Sequence, residues 1–409
     1  MKLKLILPAV LAVGLWACSS DEPKQQIPEL NTFELSRSEA NMQVAVENFA
    51  FDLFATMAKD VDAAVEHAEY ANFCVSPLSA SIALAMVANS TDDACRDAIA
   101  DMLKCDDMAA LNSLYNKVIR MTCNDPNVDI KLANAIWYHN DYSVDDEFTT
   151  SIYDKFYAPV TGVDFKDVSS IGLINRWCAD NTSGKIPQII DESIIRHNPV
   201  IVMWLNALYA QGEWEKKFDP EFTHTDIFNG TKSIRYIKMM SSVKNRPYYD
   251  GDDYQAVTLD MKGGDNAFVF VLPDKDVDIA EFISGFNVSD WRAIMNSRKE
   301  MLVNVGLPRF EINTNCDIIK ILNEMGMPLS AFLPPLNVED EICLNAYQST
   351  YTKIDEAGAT VAAATDIVGK LTSYASPDLV ELIFNRPFLY FMVNKTTGAI
   401  LMAGRICEL

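Results

Sequence analysis

The sequence predicts an α+β fold, on three observations. Apolar residues recur at helical spacing through most of the first half. Alternating or continuously apolar runs, bounded by Gly, Pro, Asn or Asp, fill most of the second. No repeat and no long low-complexity linker divides the 409 residues, so one mixed domain is expected, helices mainly first and sheet mainly later.

The elements follow in order. "NMQVAVENFAFDLFATMAKD" places Val46, Phe49, Ala50, Leu53 and Phe54 on one helical face. "SPLSASIALAMVAN" reads as a buried helix opened by Ser76, with Pro77 in its first position. "TDDACRDAIADMLKC" is a further amphipathic helix, "VDIKLANAIWYH" a strand, and "IGLINRWCADNTSGK" a helix ended by Ser183 and Gly184. "PVIVMWLNALYAQGEW" is continuously apolar, as in a strand buried on both faces. "YQAVTLDMK", "NAFVFVLPD", "MLVNVGLPRFEI" and "LIFNRPFLYFMV" are strands. One helix intrudes at "NCDIIKILNEMG", with Ile318, Ile319, Leu322 and Met325 as its face and Gly326 as its stop. At the end, "FLYFMV" and "AILMAGRI" form a hairpin through "NKTTG".

Lys2 and Lys4 precede an apolar run over residues 5–17, which is too short to span a membrane and reads as an export signal (residues 1–17). "LWAC" resembles a bacterial lipobox, which would make Cys18 the lipidated first residue; Trp16 is bulky for that motif. The polar stretch after it reads as a flexible tether, residues 18–40, ahead of a domain at 41–409. An acidic stretch behind such a cysteine resembles the surface-display signal of Bacteroides-like bacteria. The expected location is therefore the outer face of a bacterial outer membrane, with membrane contact only through the lipid.

A net charge of −23 disfavours nucleic acid and heparin-like polyanions as partners. Cys74, Cys95, Cys105, Cys123, Cys178, Cys316, Cys343 and Cys407 show no CxxC spacing and read mainly as buried thiols, with disulfides open. Four histidines lack metal-ligand spacing, and no nucleophile elbow or phosphate loop occurs. "MKGGDN" reads as a β-turn. No cofactor, metal or catalytic residue is implied, and paired carboxylates brought together only by the fold stay open.

"NRPFLYFMVNKTTGAILMAGRI" resembles the C-terminal signature of serpins. "NFAFDLF", "NFCVSPLSASIALAM", "INRWCADNTSGKI", "LNALYAQGEWEKKF", "LPRFEI" and "LNEMGM" resemble further serpin blocks, in serpin order from about Asn41 to the end. The resemblance implies three β-sheets (A, B, C), eight or nine helices and an exposed reactive-centre loop at about 356–384. It implies a shutter and breach at Ser76, Ser79, Asn206, Trp214 and Gln348, the last at a position often His in the family. The implied activity is suicide inhibition of serine proteases, with cysteine proteases a further class, by a monomer. A non-inhibitory serpin, acting as a binding protein or plain substrate, is the alternative. A surface-anchored hydrolase is a more distant one.

"DEAGATVAAAT" resembles the hinge of inhibitory serpins: Glu356, Gly358, Ala359, Thr360, Val361, Ala362, Ala363, Ala364 and Thr365. Inserted as a strand, Ala359, Val361, Ala363 and Thr365 fall on one face and Thr360, Ala362, Ala364 and Asp366 on the other. The first face carries no Pro and no charge, so insertion is expected. Val361 is bulkier than the usual residue there and favours substrate behaviour. Spacing from Glu356 puts the reactive bond at Thr372–Ser373; spacing back from "NRPF" gives a point near Ser376. Lys370 suits trypsin-like proteases, and Leu371 or Tyr374 suit subtilisin-, elastase- or chymotrypsin-like ones.

Overall fold

The computed structural model describes residues 27–64, 72–197, 200–338, 340–359 and 379–409. The signal, Cys18, hinge residues 360–365 and the reactive-bond candidates at 370–374 and 376 lie outside the described residues.

The first half carries α1 (Arg37–Ala64), β1 (Phe73–Val75), α2 (Pro77–Ala88), α3 (Asp93–Met102), α4 (Met108–Cys123), β2 (Val128–His139), α5 (Asp146–Phe156), β3 (Val160–Val163), α6 (Ser169–Asn181), α7 (Glu192–His197) and β4 (Val202–Glu213). Strands dominate thereafter: β5 (His224–Asn229), β6 (Ile234–Asp250), β7 (Tyr254–Asp260), β8 (Asn266–Pro273), β9 (Lys299–Pro308), β10 (Phe310–Asp317), β11 (Ser330–Ala331), β12 (Ile342–Cys343), β13 (Ala346–Ile354), β14 (Gly358–Ala359), β15 (Val380–Ile383), β16 (Phe388–Asn394) and β17 (Ile400–Ile406). Helices α8 (Ile279–Gly285), α9 (Val288–Ser297) and α10 (Ile318–Glu324) are set among them.

Ten α-helices among the described residues exceed the eight or nine expected. The surplus is short: α7 has six residues and α8 seven, too few turns to show a period in sequence. Helix α1 begins at Arg37, inside the expected tether. Ser36 and Glu39 form a reciprocal cap there, each backbone N–H donating to the other's side chain (2.6 and 3.2 Å). The preceding residues lie along α4, where Arg120 donates to the carbonyls of Pro28 and Glu29 and Lys117 to that of Glu34.

Six strands form sheet A in the order β10-β13-β14-β4-β2-β3. A second assembly runs β1-β17-β16-β8-β7-β6-β9-β15, with β5 on β6. It joins sheets B and C through the 17-residue β6, which pairs with β5 and β9 along most of its length and with β7 from Tyr248 onward. A two-residue ribbon, β11–β12, stands apart.

Strand β4 separates two cores, which is why its sequence is apolar throughout. Trp204 and Leu208 face the main core, where Phe51 and Phe54 of α1 pack against Phe286 after α8, Trp291 of α9 and Phe391 of β16. Met203, Leu205, Ala207 and Tyr209 face a second core beneath α6. Helix α2 is buried at every residue, as its uniform hydrophobicity requires.

Candidate functional site

The site is the seam of sheet A between β4 and β13. Ala346–Tyr351 pair in parallel with Trp204–Tyr209, so this part of the seam is shut. Register aligns Asn134, Asn206, Gln348 and Cys316 in one row across four strands. Asn206 donates its Nδ2 to Asn134 Oδ1. Gln348 grips Ser76 twice: its Oε1 accepts from Ser76 N (2.8 Å) and its Nε2 donates to Ser76 O (3.0 Å). Ser76 also caps α2, its Oγ accepting from Ser79 N at 3.2 Å. One amide side chain thus bolts the seam to the helix beneath it. Ser79 Oγ, Asn134 Nδ2 and Asn206 Oδ1 are buried and find no partner among the described residues, so the shut seam leaves polar capacity unused.

Above Tyr351 the two strands part and the chain folds back into the gap. Asp355 Oδ1 accepts from the N–H groups of Ala357 (3.0 Å) and Gly358 (3.3 Å), closing a tight turn. The returning β14 pairs Gly358 with Glu213, and Ala359 with both Gly212 and Ile354, antiparallel on each side. Two residues of a central strand are therefore already in place, and Ala359 is packed into the main core. Gly358 is required by contact: a Cβ there would stand 2.1 Å from Gly212 O.

The turn is held from outside by the segment after β4. Trp214 N donates to Ala357 O (2.9 Å), Trp214 Nε1 to Asp355 O (2.9 Å), and Phe218 N to Glu356 O (3.0 Å). Glu356 Oε1 accepts from Arg309 Nε (2.8 Å) and Nη2 (2.5 Å) and from the Thr223 hydroxyl. Burial pushes the Glu356 carboxyl up, but the Arg309 and Thr223 bonds outweigh it and hold it below its ordinary range. Burial wins at Asp355, whose carboxyl is raised.

A family model described as serpin (serine protease inhibitor) matches residues 44–409. The chain belongs to the serpin family. An uncharacterised serpin-like protein of Methanosarcina mazei is 27% identical over 99% of this chain and 97% of its own length. Human Serpin B3 is 28% identical over 90% of this serpin and 98% of its own chain. Tengpin, a thermophilic serpin solved in its native state, shares the fold with a TM-score of 0.81 at 22% identity, covering 94% of this chain and 99% of its own. Serpin48 of Tenebrio molitor gives a TM-score of 0.79 at 25% identity, covering 91% and 100%.

The serpin's structure brings Ser76, Ser79, Asn206 and Gln348 together at the shut part of the seam, and Trp214, Glu356, Gly358 and Ala359 together at the turn above it. Sequence reasoning missed Arg309, Thr223, Phe218 and Asp355. Asp355 had a visible signal, a helix-breaking Asp three residues before a Gly. The other three meet the hinge only through the fold. Among the described residues all eight cysteines are free thiols, and Cys343 is exposed.

Proposed function

We propose that this serpin is a suicide inhibitor of serine proteases. The observation that carries the reading is the seam of sheet A, shut from Ala346 to Tyr351 and opened above by two residues of the hinge itself. A protease serine attacks the scissile carbonyl, an ester forms, and the new amine leaves as the N-terminus of the C-terminal fragment. The freed loop extends β14 down the seam before water reaches the ester. From Gly358 to Thr372 is about fifteen residues, or roughly 50 Å of strand. The esterified protease is carried that distance from the site of attack. Uncleaved, the strand-competent loop is held out and the seam stays shut.

The bait is assigned to Lys370–Tyr374, by spacing at Thr372–Ser373. A bovine relative, 27% identical over 89% of this chain and 98% of its own, is named leukocyte elastase inhibitor, which places elastase among the proteases to try. Incubation with trypsin, chymotrypsin, elastase and subtilisin should give complexes that survive SDS, with cleavage inside that window. Cleavage by all four without any complex would leave this serpin a plain substrate. The second part of the proposal is export and anchoring by a lipid on Cys18. It rests on the apolar run and the cysteine behind it. Cells fed radiolabelled palmitate should label the wild type and not Cys18→Ala.

A further inference from the structure

The hairpin of β5 and β6 turns an apolar face to solvent. Its register pairs Ile227 with Tyr236 and Asn229 with Ile234, so three large apolar side chains stand on one face. Phe228, one residue along, points the other way and packs on Phe388. Tyr236 is 81% exposed and Ile234 70%, the two most exposed large apolar side chains among the described residues. One such side chain on a surface is ordinary; three on one ladder form a patch.

Charge sets the face apart as well. From Ile227 to Tyr249 the chain has five basic residues and no acidic one, in a protein of net charge −23. Lys238 shares the face with Tyr236, and its ammonium donates to Thr225 Oγ1 across the ladder at 3.1 Å. Arg235 is exposed too and donates to Ser233 Oγ at 3.2 Å. Neither cation is paired with a carboxylate among the described residues. The acids that border the hairpin are turned into it. Asp226 Oδ1 accepts from Ile227 N (2.8 Å), and Glu408 accepts from Lys232 N and the Thr231 and Ser233 hydroxyls.

Position ties the face to the loop. Thr223 immediately precedes β5 and donates its hydroxyl to Glu356, at the loop's root. Four residues of extended chain, roughly 13 Å, separate Thr223 from Ile227. The loop's other end returns as β15, in the same sheet, beside the β9 that pairs with β6. A protease that grips the loop between these ends is therefore set beside the face. Strand addition to β5 is disfavoured, because Asp226 caps Ile227 N and the Asn385 carbonyl caps Asn229 N. Recognition falls to the side chains.

We propose that this face is a second docking surface for the protease that takes the loop, and that it selects an enzyme presenting an apolar patch rimmed by carboxylates. Ile227, Ile234 and Tyr236 supply the contact that excludes water, and Lys238 and Arg235 supply the charge that orients it. The remaining surface, acidic overall, repels such an enzyme, so the basic hairpin fixes where it lands. The proposal rests on the loop being taken by a protease and not on the trap that follows.

The test uses full-length protein and anionic trypsin, which carries net negative charge and can cut at Lys370. The readout is the second-order rate constant of loop cleavage, with a synthetic peptide of residues 366–378 as the reference that lacks the face. Ile234→Ser with Tyr236→Ser keeps the net charge and should slow cleavage of the protein at least about fivefold relative to the peptide. Arg235→Glu with Lys238→Glu should slow it by a similar factor, and the loss should shrink as sodium chloride is raised. Cationic trypsin, which prefers the same bond, should not be slowed by the charge reversal. Both double variants should melt at the wild-type temperature, since the altered side chains are exposed. Wild-type cleavage rates in both variants overturn the proposal, as does equal slowing of the two trypsins by charge reversal. So does a wild-type dimer in sedimentation that the serine variant dissolves, since a second copy would then cover the face. SDS-stable complexes are read separately: their absence sinks the trapping reading and leaves the docking result standing.

Discussion

At the scale of the residue, this serpin concentrates its control in a few polar side chains with two partners each. Gln348 is the clearest. Removing it leaves the Ser76 N–H buried and unpaired, at about 1–3 kcal/mol, while the Ser76 carbonyl keeps the bond it accepts from Ala80 N (3.0 Å). Gln348→Leu should therefore lower the unfolding free energy of the intact protein, read from urea titration, by about that amount, with little effect on the loop-cleaved form. Glu356 predicts a pH effect. Its carboxyl is lowered in the fold, so its stabilisation is full above the ordinary value of 4.5 and is lost as pH falls through the lowered one. Asp355 is raised, so its contribution has the opposite sign and is lost as pH rises through its own value. Acidification should release the hinge, read as protease sensitivity at residues 355–359, and Glu356→Gln should remove the acid-dependent part. Of these residues, Ser76, Trp214 and Glu356 were legible because each stands in a local motif. Arg309 was not: it lies 47 positions from the carboxylate it holds, and a lone arginine between strands announces no partner.

At the scale of the element, the long strands and α2 were legible because two buried faces, or burial all round, leave continuous apolar runs. Helix α4 was not drawn, and the docking of residues 27–36 went with it, since that segment binds α4 through its own backbone carbonyls. A polar sequence reads as solvated until the side chains that grip its backbone are in place. Strand β14 was read as hinge, but its partial insertion was invisible, being a matter of two residues and of Gly212 across the seam. That contact yields a prediction. Gly358→Val cannot bring its Cβ to 2.1 Å from Gly212 O, so β14 must leave the sheet. Insertion would then start from an undocked hinge. The number of inhibitor molecules consumed per protease trapped should rise several-fold, measured by titrating a fixed amount of protease, while the rate of loop cleavage is unchanged.

For the whole molecule, the question is where the energy for displacing a protease resides. The shut seam leaves Ser79, Asn134 and Asn206 with unused polar atoms, and it leaves out a strand that the sequence can supply. Inserting about ten residues with partners on both sides adds many ladder hydrogen bonds at about 0.5–1.5 kcal/mol each. The cleaved form should then be more stable by at least about 10 kcal/mol, a rise in melting temperature on the order of 10–20 °C for a domain this large. The register is set by Ala359, which is packed in the main core; alternation sends Val361, Ala363 and Thr365 to the same side. A charge on that side has no counter-ion waiting for it, and its burial costs several kcal/mol. Thr365→Arg should therefore be cut by protease as readily as the wild type, yet show no more than a small rise in melting temperature and form no SDS-stable complex. The matched variant Ala364→Arg, one residue along and facing the other way, should keep most of both. If the two variants behave alike, the strand does not enter in this register, and the bond placed at Thr372–Ser373 by counting from Glu356 loses its basis too.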